Sequence, residues 1–219
     1  MTSLLALETS GSLCSVCVVH QGKRFENTRN VDRMHNEVLL PMIAEVCASA
    51  GVTKTAFTAV AFGCGPGSFT GVRIAAASSQ AIAFAAAARI VPVASSKALA
   101  QALVTAQPSS LDGVVTLIRS RRDLYYVASY TVRGDRVIEA NGDALLRAMP
   151  KLPQLASPRW KVVGDLPAWW DAKVPIESNI KATSSQIADL ALITLAAGGG
   201  LDPAAGLPTY VAGDSPWSA

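Results

Sequence analysis

The chain has 219 residues, half of them hydrophobic and 16% charged, with a formal net charge of +3. That composition excludes a disordered chain, and the length suits one large domain or two small ones sharing a core. So small a charge argues against strong autonomous nucleic-acid binding, and the densest basic group, Arg119, Arg121 and Arg122, reads first as a solvated strand end and second as an anion or RNA contact.

The opening residues Met1–Glu8 lack a basic leader region, so no secretory signal is expected. Ser3–Glu8, Leu13–His20 and Arg24–Arg29 read as a three-strand meander, with turn chemistry at Thr9–Ser12 and Gln21–Lys23. Within it, Cys14 and Cys17 have the spacing of a metal or redox pair. On a strand, however, residues three apart point to opposite faces, and no second pair completes a zinc site. All four cysteines are expected to be reduced and structural, as in a cytoplasmic protein.

A helix follows, with Asn36 as the expected N-cap, Pro41 near its first turn and Gly51 at its end. Val38, Leu39, Met42, Ile43 and Val46 fall at helical spacing along it. Ala59–Gly63 reads as a strand, and a glycine-rich turn leads into a helix over 71–88. That helix is rich in Ala and flanked by Arg73 and Arg89, and it is expected to be soluble and buried, not membrane-spanning. Ile90–Val93 is the next strand, and Ser95 or Ser96 caps a helix running to about Ala106. After the linker-like Gln107–Ser110 come strands near Val114–Ile118, Leu124–Val132 and Arg136–Ala140. Pro150–Asn179 resists assignment. Ser184–Ala197 is a helix stopped by three glycines, and the tail from Asp202 is loop-like. The order predicts an α/β architecture with two lobes, 1–106 and a shorter 107–219 whose last segment packs back on the first lobe.

The most informative segment is Gly63–Arg73, between a strand and a helix. Gly65, Gly67 and Gly71 permit close backbone approach, and the Ser68 and Thr70 hydroxyls are placed to cap the helix. With Arg73, these residues form a candidate anion- or nucleotide-contacting turn. A Walker-type loop needs Lys and then Ser or Thr after its last glycine, and here Val72 and Arg73 follow. A dinucleotide fold needs an acidic residue about twenty positions on, and none lies between Glu45 and Asp112. A plain tight turn, with small residues for packing, competes with the binding reading.

The run Gly65-Pro66-Gly67-Ser68-Phe69-Thr70-Gly71-Val72-Arg73 resembles the signature of the TsaB (YeaZ) family. In the same order, Leu5–Ser10, Cys14–Val16, Arg33–Met42 and Val93–Ser96 resemble further family segments. Val163–Asp165 and Pro208–Val211 are weaker echoes. The resemblance implies a two-lobed, actin-like ATPase fold of the hexokinase and Hsp70 superfamily, with a degenerate second lobe. It implies a non-catalytic subunit that binds TsaD, with TsaE joining them, in threonylcarbamoylation of the tRNA adenosine next to the anticodon, in tRNAs reading codons that begin with A. It further implies a homodimer when the chain is alone, no intrinsic cofactor, ATP or ADP only in the complex, tRNA contact only through the complex, no membrane association and a cytoplasmic location.

The residues fit a non-catalytic reading. His20 and His35 lie fifteen apart without a patterned carboxylate, which makes a poor metal site, and neither a His-Glu-x-x-His nor a Gly-x-Ser-x-Gly pattern supports a peptidase. His35 reads as a cap or interface residue. Glu8 stands where this superfamily more usually carries Asp, which weakens a Mg-nucleotide site; Arg119-Ser120-Arg121, where many relatives read Asp-Ala-Arg, is a further departure that loses a carboxylate. A small-molecule kinase of the same fold is the alternative, with Asp112, Asp123 and Asp165 as candidate catalytic carboxylates, though none sits in a glycine-rich phosphate motif. Small side chains let helices approach closely. The resemblance implies that the two amino-terminal helices pack against a partner, with Leu39, Met42, Ile43, Val46, Ile74, Ser78 and Ile82 as the expected contacts; the competing reading is that these side chains face the chain's own sheet.

Overall fold

The computed structural model describes residues 2–31, 34–107, 111–121 and 123–211. Arg33 of the first-helix motif, Arg122, most of the linker (108–110) and the end of the tail (212–219) lie outside the described residues. Contacts divide the chain into Met1–Ser95 with Thr183–Thr209, and Ser96–Ala182 with Tyr210–Ala219. The division thus falls before the helix ending at Ala106, where the sequence boundary had been placed after it.

In the first unit, β1 (Leu4–Glu8), β2 (Leu13–His20) and β3 (Lys23–Asn30) form an antiparallel meander. β4 (Ala59–Gly63) and β5 (Arg89–Val93) add in parallel, giving the order β3-β2-β1-β4-β5. Helices α1 (His35–Ala50) and α2 (Phe69–Ala86) cover one face of this sheet. There Leu5, Leu7, Val16, Val18, Val60 and Phe62 pack against Leu39, Met42, Ile43, Val46, Ala75 and Ile82. The other face, with Ala6, Glu8, Ser15 and Cys17 in register, takes the returning helix α4 (Ser184–Ala196). Ser15 Oγ accepts the Ser184 amide at 3.0 Å there, and Thr183 with Gln186 completes a capping box.

The second unit repeats the order. β6 (Gly113–Arg121), β7 (Leu124–Arg133) and β8 (Arg136–Leu146) form a meander, and β9 (Trp160–Gly164) and β10 (Ile176–Glu177) add in parallel as β10-β9-β6-β7-β8. α3 (Ser95–Ala106), which follows β5, belongs with this unit from Ser96 onward, while α4, which follows β10, belongs with the first. This twice-used meander with two parallel additions is the actin-like arrangement. The sheet of the second unit is complete. What is reduced is its helical cover: the β8–β9 connection holds only a 3-10 turn, Pro153–Ala156, and the β9–β10 connection holds no helix, where the first unit places α1 and α2. That explains why 150–179 showed no period. Its Leu152, Leu155, Trp169, Trp170 and Val174 pack one by one onto Val115, Leu117, Tyr125 and Val127, so no stripe repeats.

Local caps differ from expectation at α1. The N-cap is Met34, which makes no side-chain bond, and Asn36 lies inside the first turn. Gly51 ends the helix in the left-handed region at φ 64°, as expected. Cys14 faces the α1–α2 core and Cys17 the α4 side; burial raises their thiols to about 11 and about 12, so both are inert at neutral pH.

Candidate functional site

β1 ends in Glu8, only 2% exposed, with its carboxylate turned to the α4 side of the sheet. One oxygen accepts the Ser10 amide at 2.6 Å and the other the Ser95 hydroxyl at 3.0 Å. Gly63 makes room for it, since a Cβ there would lie 2.1 Å from Glu8 Oε2. Desolvation raises the Glu8 carboxyl above the usual carboxylate value, against the Ser10 and Ser95 hydrogen bonds that lower it. The extra methylene relative to Asp carries the carboxylate into an internal brace between β1, β4 and the start of α3.

Glu8 therefore binds more protons folded than unfolded above pH 4.5, and its contribution to stability is lost as pH rises through the raised folded value. Glu8→Gln keeps a carbonyl for Ser10 and stays neutral. Its midpoint in urea, relative to the unsubstituted chain, is expected to rise from about pH 4.5 and to level off above the raised folded value of Glu8. A difference that does not change with pH would contradict the buried brace.

The glycine-rich turn is closed by the chain's own backbone. The Ser68 amide donates to Ser10 O at 2.7 Å, Thr9 Oγ1 donates to Gly71 O at 2.8 Å, and the Ser95 amide donates to Gly65 O at 2.8 Å. A Cβ on Gly67 would lie 2.5 Å from Ser10 O, and one on Gly71 2.0 Å from Thr9 O. Ser68 Oγ accepts the Gly71 amide at 3.2 Å as the N-cap. Thr70 is exposed, and Arg73 folds back, donating to Phe69 O at 2.8 Å with its guanidinium 3.2 Å from the centre of the Phe69 ring. Gly65, Gly67, Ser68 and Gly71 thus hold the two turns together by close packing, the plainer of the two sequence readings.

Of the expected partner contacts, Leu39, Met42, Ile43, Val46 and Ile82 are inside this chain's own core, each 8% exposed or less. This corrects that expectation: an apolar stripe at helical spacing faces the sheet beneath it. Ile74 and Ser78 are half-buried on the flank of α2. The surface the helices do offer is different. On α1, Leu40 is 53% exposed, and Pro41, Ala44 and Ala48 are exposed beside it. On α2, Ala77, Ala81 and Ala85 are exposed, as is Phe84 at 60%. Glu45 on α1 reaches Asn27 and Arg29 of β3, so Leu40, on the opposite flank by helical phase, faces the α2 side. Gln80 on α2 reaches the carbonyl of Pro203, which turns Ala81, Ser78 and Ile74 toward α1. The result is a low ridge of small side chains with Leu40 at its edge. Sequence reading missed Leu40, Ala44, Ala77, Ala81 and Phe84; the available signal was that they are apolar and out of phase with the buried stripe.

His35 is buried and bonds the Leu13 carbonyl through Nε2 at 3.2 Å, and His20 Nδ1 meets Ser3 Oγ at 3.1 Å, so each is placed by the meander. Asp165 accepts the Arg119 amide and pairs with Lys181, while Asp112 pairs with Arg159; these two kinase candidates hold structure. Among the described residues, no group of three His, Cys, Asp or Glu is placed to hold a metal, and no helix is long and apolar enough to cross a membrane.

Residues 27–162 match the family model for TsaD, tRNA N6-adenosine threonylcarbamoyltransferase. The tRNA threonylcarbamoyladenosine biosynthesis protein TsaB of Haemophilus influenzae is 38% identical over 61% of this chain and 57% of its own length. TsaB of Escherichia coli is 34% identical over 45% and 42%. The matches thus span about half the length of these curated relatives. YeaZ from Pseudomonas aeruginosa superposes with a TM-score of 0.85 at 30% identity, covering 96% of this chain and 100% of that one. An uncharacterized P. aeruginosa protein similar to peptidase YEAZ gives 0.86 at 31% identity, with the same coverage.

Proposed function

The chain belongs to the TsaB (YeaZ) family, and from that premise we propose that it is a non-catalytic subunit of tRNA threonylcarbamoyladenosine synthesis that acts by docking TsaD. The observation that carries this reading is the exposed ridge of Leu40, Ala44, Ala77 and Ala81 on α1 and α2. Small side chains let a second pair of helices approach closely, and the buried stripe beneath keeps the ridge rigid. Support for a supporting role, not a chemical one, comes from Glu8 and the glycine-rich turn, whose polar groups bond one another.

In this reading the chain works in the cytoplasm, TsaE joins the pair, ATP or ADP enters only in the complex, and tRNA is contacted only through it. Alone, the chain uses the same ridge to form a homodimer, so homodimer and TsaD complex exclude each other. Light scattering of the purified chain with and without TsaD tests this. The expected result is a homodimer converted to a one-to-one complex. A homodimer that binds TsaD without dissociating would refute the shared ridge. The isolated chain is expected to hydrolyse ATP no faster than buffer; steady turnover would favour the kinase alternative.

A contrast separates core from ridge. Ile43→Ala, at a fully buried position, is expected to lower stability by about 2–5 kcal/mol. TsaD association of the remaining folded protein should not change. Weaker association at equal folded fraction would return Ile43 to the contact surface.

A further inference from the structure

The second unit carries a groove that the docking reading does not use. It has a volume of about 540 Å³ and is lined by Leu166, Trp170, Val174 and Ile176, with Ser178 and Arg119 as its polar members. It lies on the sheet face where the first unit is closed by α1 and α2, and it exists because an irregular segment covers that face instead. Trp170 is held in place by its indole N–H, which donates to Val174 O at 2.9 Å, and the residue is 7% exposed. Trp169 packs edge-on against Tyr125 at 5.6 Å, which stiffens the segment from behind.

Arg119 is oriented without being neutralised. Its Nε donates to Tyr125 Oη at 3.3 Å, and its guanidinium carbon lies 5.8 Å from the centre of the Tyr125 ring. Of the two carboxylates whose charge reaches it, Asp165 and Asp123, Asp165 instead accepts the Arg119 backbone amide at 2.9 Å and pairs with Lys181 at 3.4 Å. Among the described residues, no carboxylate lies within ion-pair distance of the Arg119 guanidinium, and its two terminal nitrogens have no hydrogen-bond partner. An exposed guanidinium oriented by Tyr125, with both terminal nitrogens available, matches a carboxylate in two parallel hydrogen bonds.

We propose that this groove binds a small monocarboxylate with an apolar body, the acid on Arg119 and the body over Trp170. The walls select the charge as well as the shape. A singly charged, planar acid loses less hydration on entering an apolar groove than a doubly charged phosphate. The volume suits a molecule of drug size, with a few polar groups fixing its orientation. The site is independent of the helix ridge, so failure of either proposal leaves the other standing.

Titration calorimetry on the full chain tests it with matched acid and amide pairs of phenylpropionate and of N-acetyl-leucine. The acids are expected to bind saturably and at least about tenfold more tightly than the amides, the loss of one charge-assisted contact. Arg119→Gln should erase the difference between acid and amide. Ala172→Trp, at an exposed wall position, should abolish binding of both while the far-ultraviolet dichroism stays unchanged. Equal affinity for acid and amide, an unchanged preference in Arg119→Gln, or no saturable binding of either acid would overturn the proposal. A leucine-ended peptide that binds through its free C-terminus far more tightly than the small acids would also overturn it, by naming a chain end as the occupant.

Discussion

The double substitution Leu40→Glu with Ala81→Glu is expected to abolish association with TsaD while leaving the fold intact. Both positions are exposed, so neither change disturbs the core of Leu39, Met42, Ile43 and Ile82. Glutamate is a good helix former, and neither site bonds another residue through its side chain. In the complex the two carboxylates would be buried against a partner helix without a counter-charge. Each such group costs several kcal/mol, and a loss of about 3 kcal/mol is already a hundredfold in Kd. Light scattering checks the association and circular dichroism the fold. The same variant should be monomeric when alone, because the proposed homodimer uses the same ridge. A folded variant that binds TsaD as tightly as the unsubstituted chain would move the docking surface elsewhere.

Gly71→Ala is expected to be a strongly destabilising conservative change. The new methyl would sit 2.0 Å from Thr9 O, on backbone that cannot swing aside as a long side chain does. Thr9 is also bonded to Gly71 through its hydroxyl, at 2.8 Å, and Ser10 O takes the Ser68 amide at 2.7 Å. Relief therefore requires the start of α2 to move away from the β1–β2 turn, with loss of those bonds. The expected cost is about 3 kcal/mol, or about 6–12 °C in Tm for a chain of this size. Gly11→Ala is the control: a Cβ there meets nothing within 4 Å, and the change should be nearly silent. Scanning calorimetry of both variants checks the pair. Equal shifts would mean that the two turns are not locked together. Because α2 carries half of the ridge, Gly71→Ala should also weaken TsaD binding, by an amount that follows the lost stability.

Much of the fold was legible because the first unit obeys simple periods. Leu13–His20, Ala59–Gly63 and Ser95–Ala106 were readable from alternation, short apolar runs and cap chemistry, and the structure places them there. Leu124–Arg133 and the start of β8 were equally plain, but β8 runs on to Leu146 through Asn141, Gly142 and Asp143, residues that disfavour strands. Pairing with β7 overrides their propensity there. The exchange of α3 and α4 between the units was not readable, since a boundary drawn at a polar linker follows the chain and not its contacts.

The site was harder to read than the fold. The sequence marked α1 and α2 as the helices of interest, but its apolar stripe points inward, so five of the seven chosen residues proved to be core. Exposure is a tertiary property: Leu39 and Leu40 are neighbours of the same type, yet one is 1% and the other 53% exposed. Only the placement of the sheet tells them apart. The glycines of the signature fit a ligand turn or a packing turn on sequence alone; what the sequence does not show is that Thr9 and Ser10 occupy the space beside Gly71 and Gly67. Arg119 was noted as a departure from relatives, and its place in the groove depended on Trp170 and Ile176, more than fifty residues along the chain.

The central claim is that the α1–α2 ridge makes this chain a working subunit of threonylcarbamoyladenosine synthesis without chemistry of its own. The most direct measurement is nucleoside mass spectrometry of tRNA from cells whose only copy of the gene encodes Leu40→Glu with Ala81→Glu. Loss of the modified nucleoside, with the variant present at normal abundance and folded, is the predicted result. Normal levels of the modification in those cells would contradict the claim.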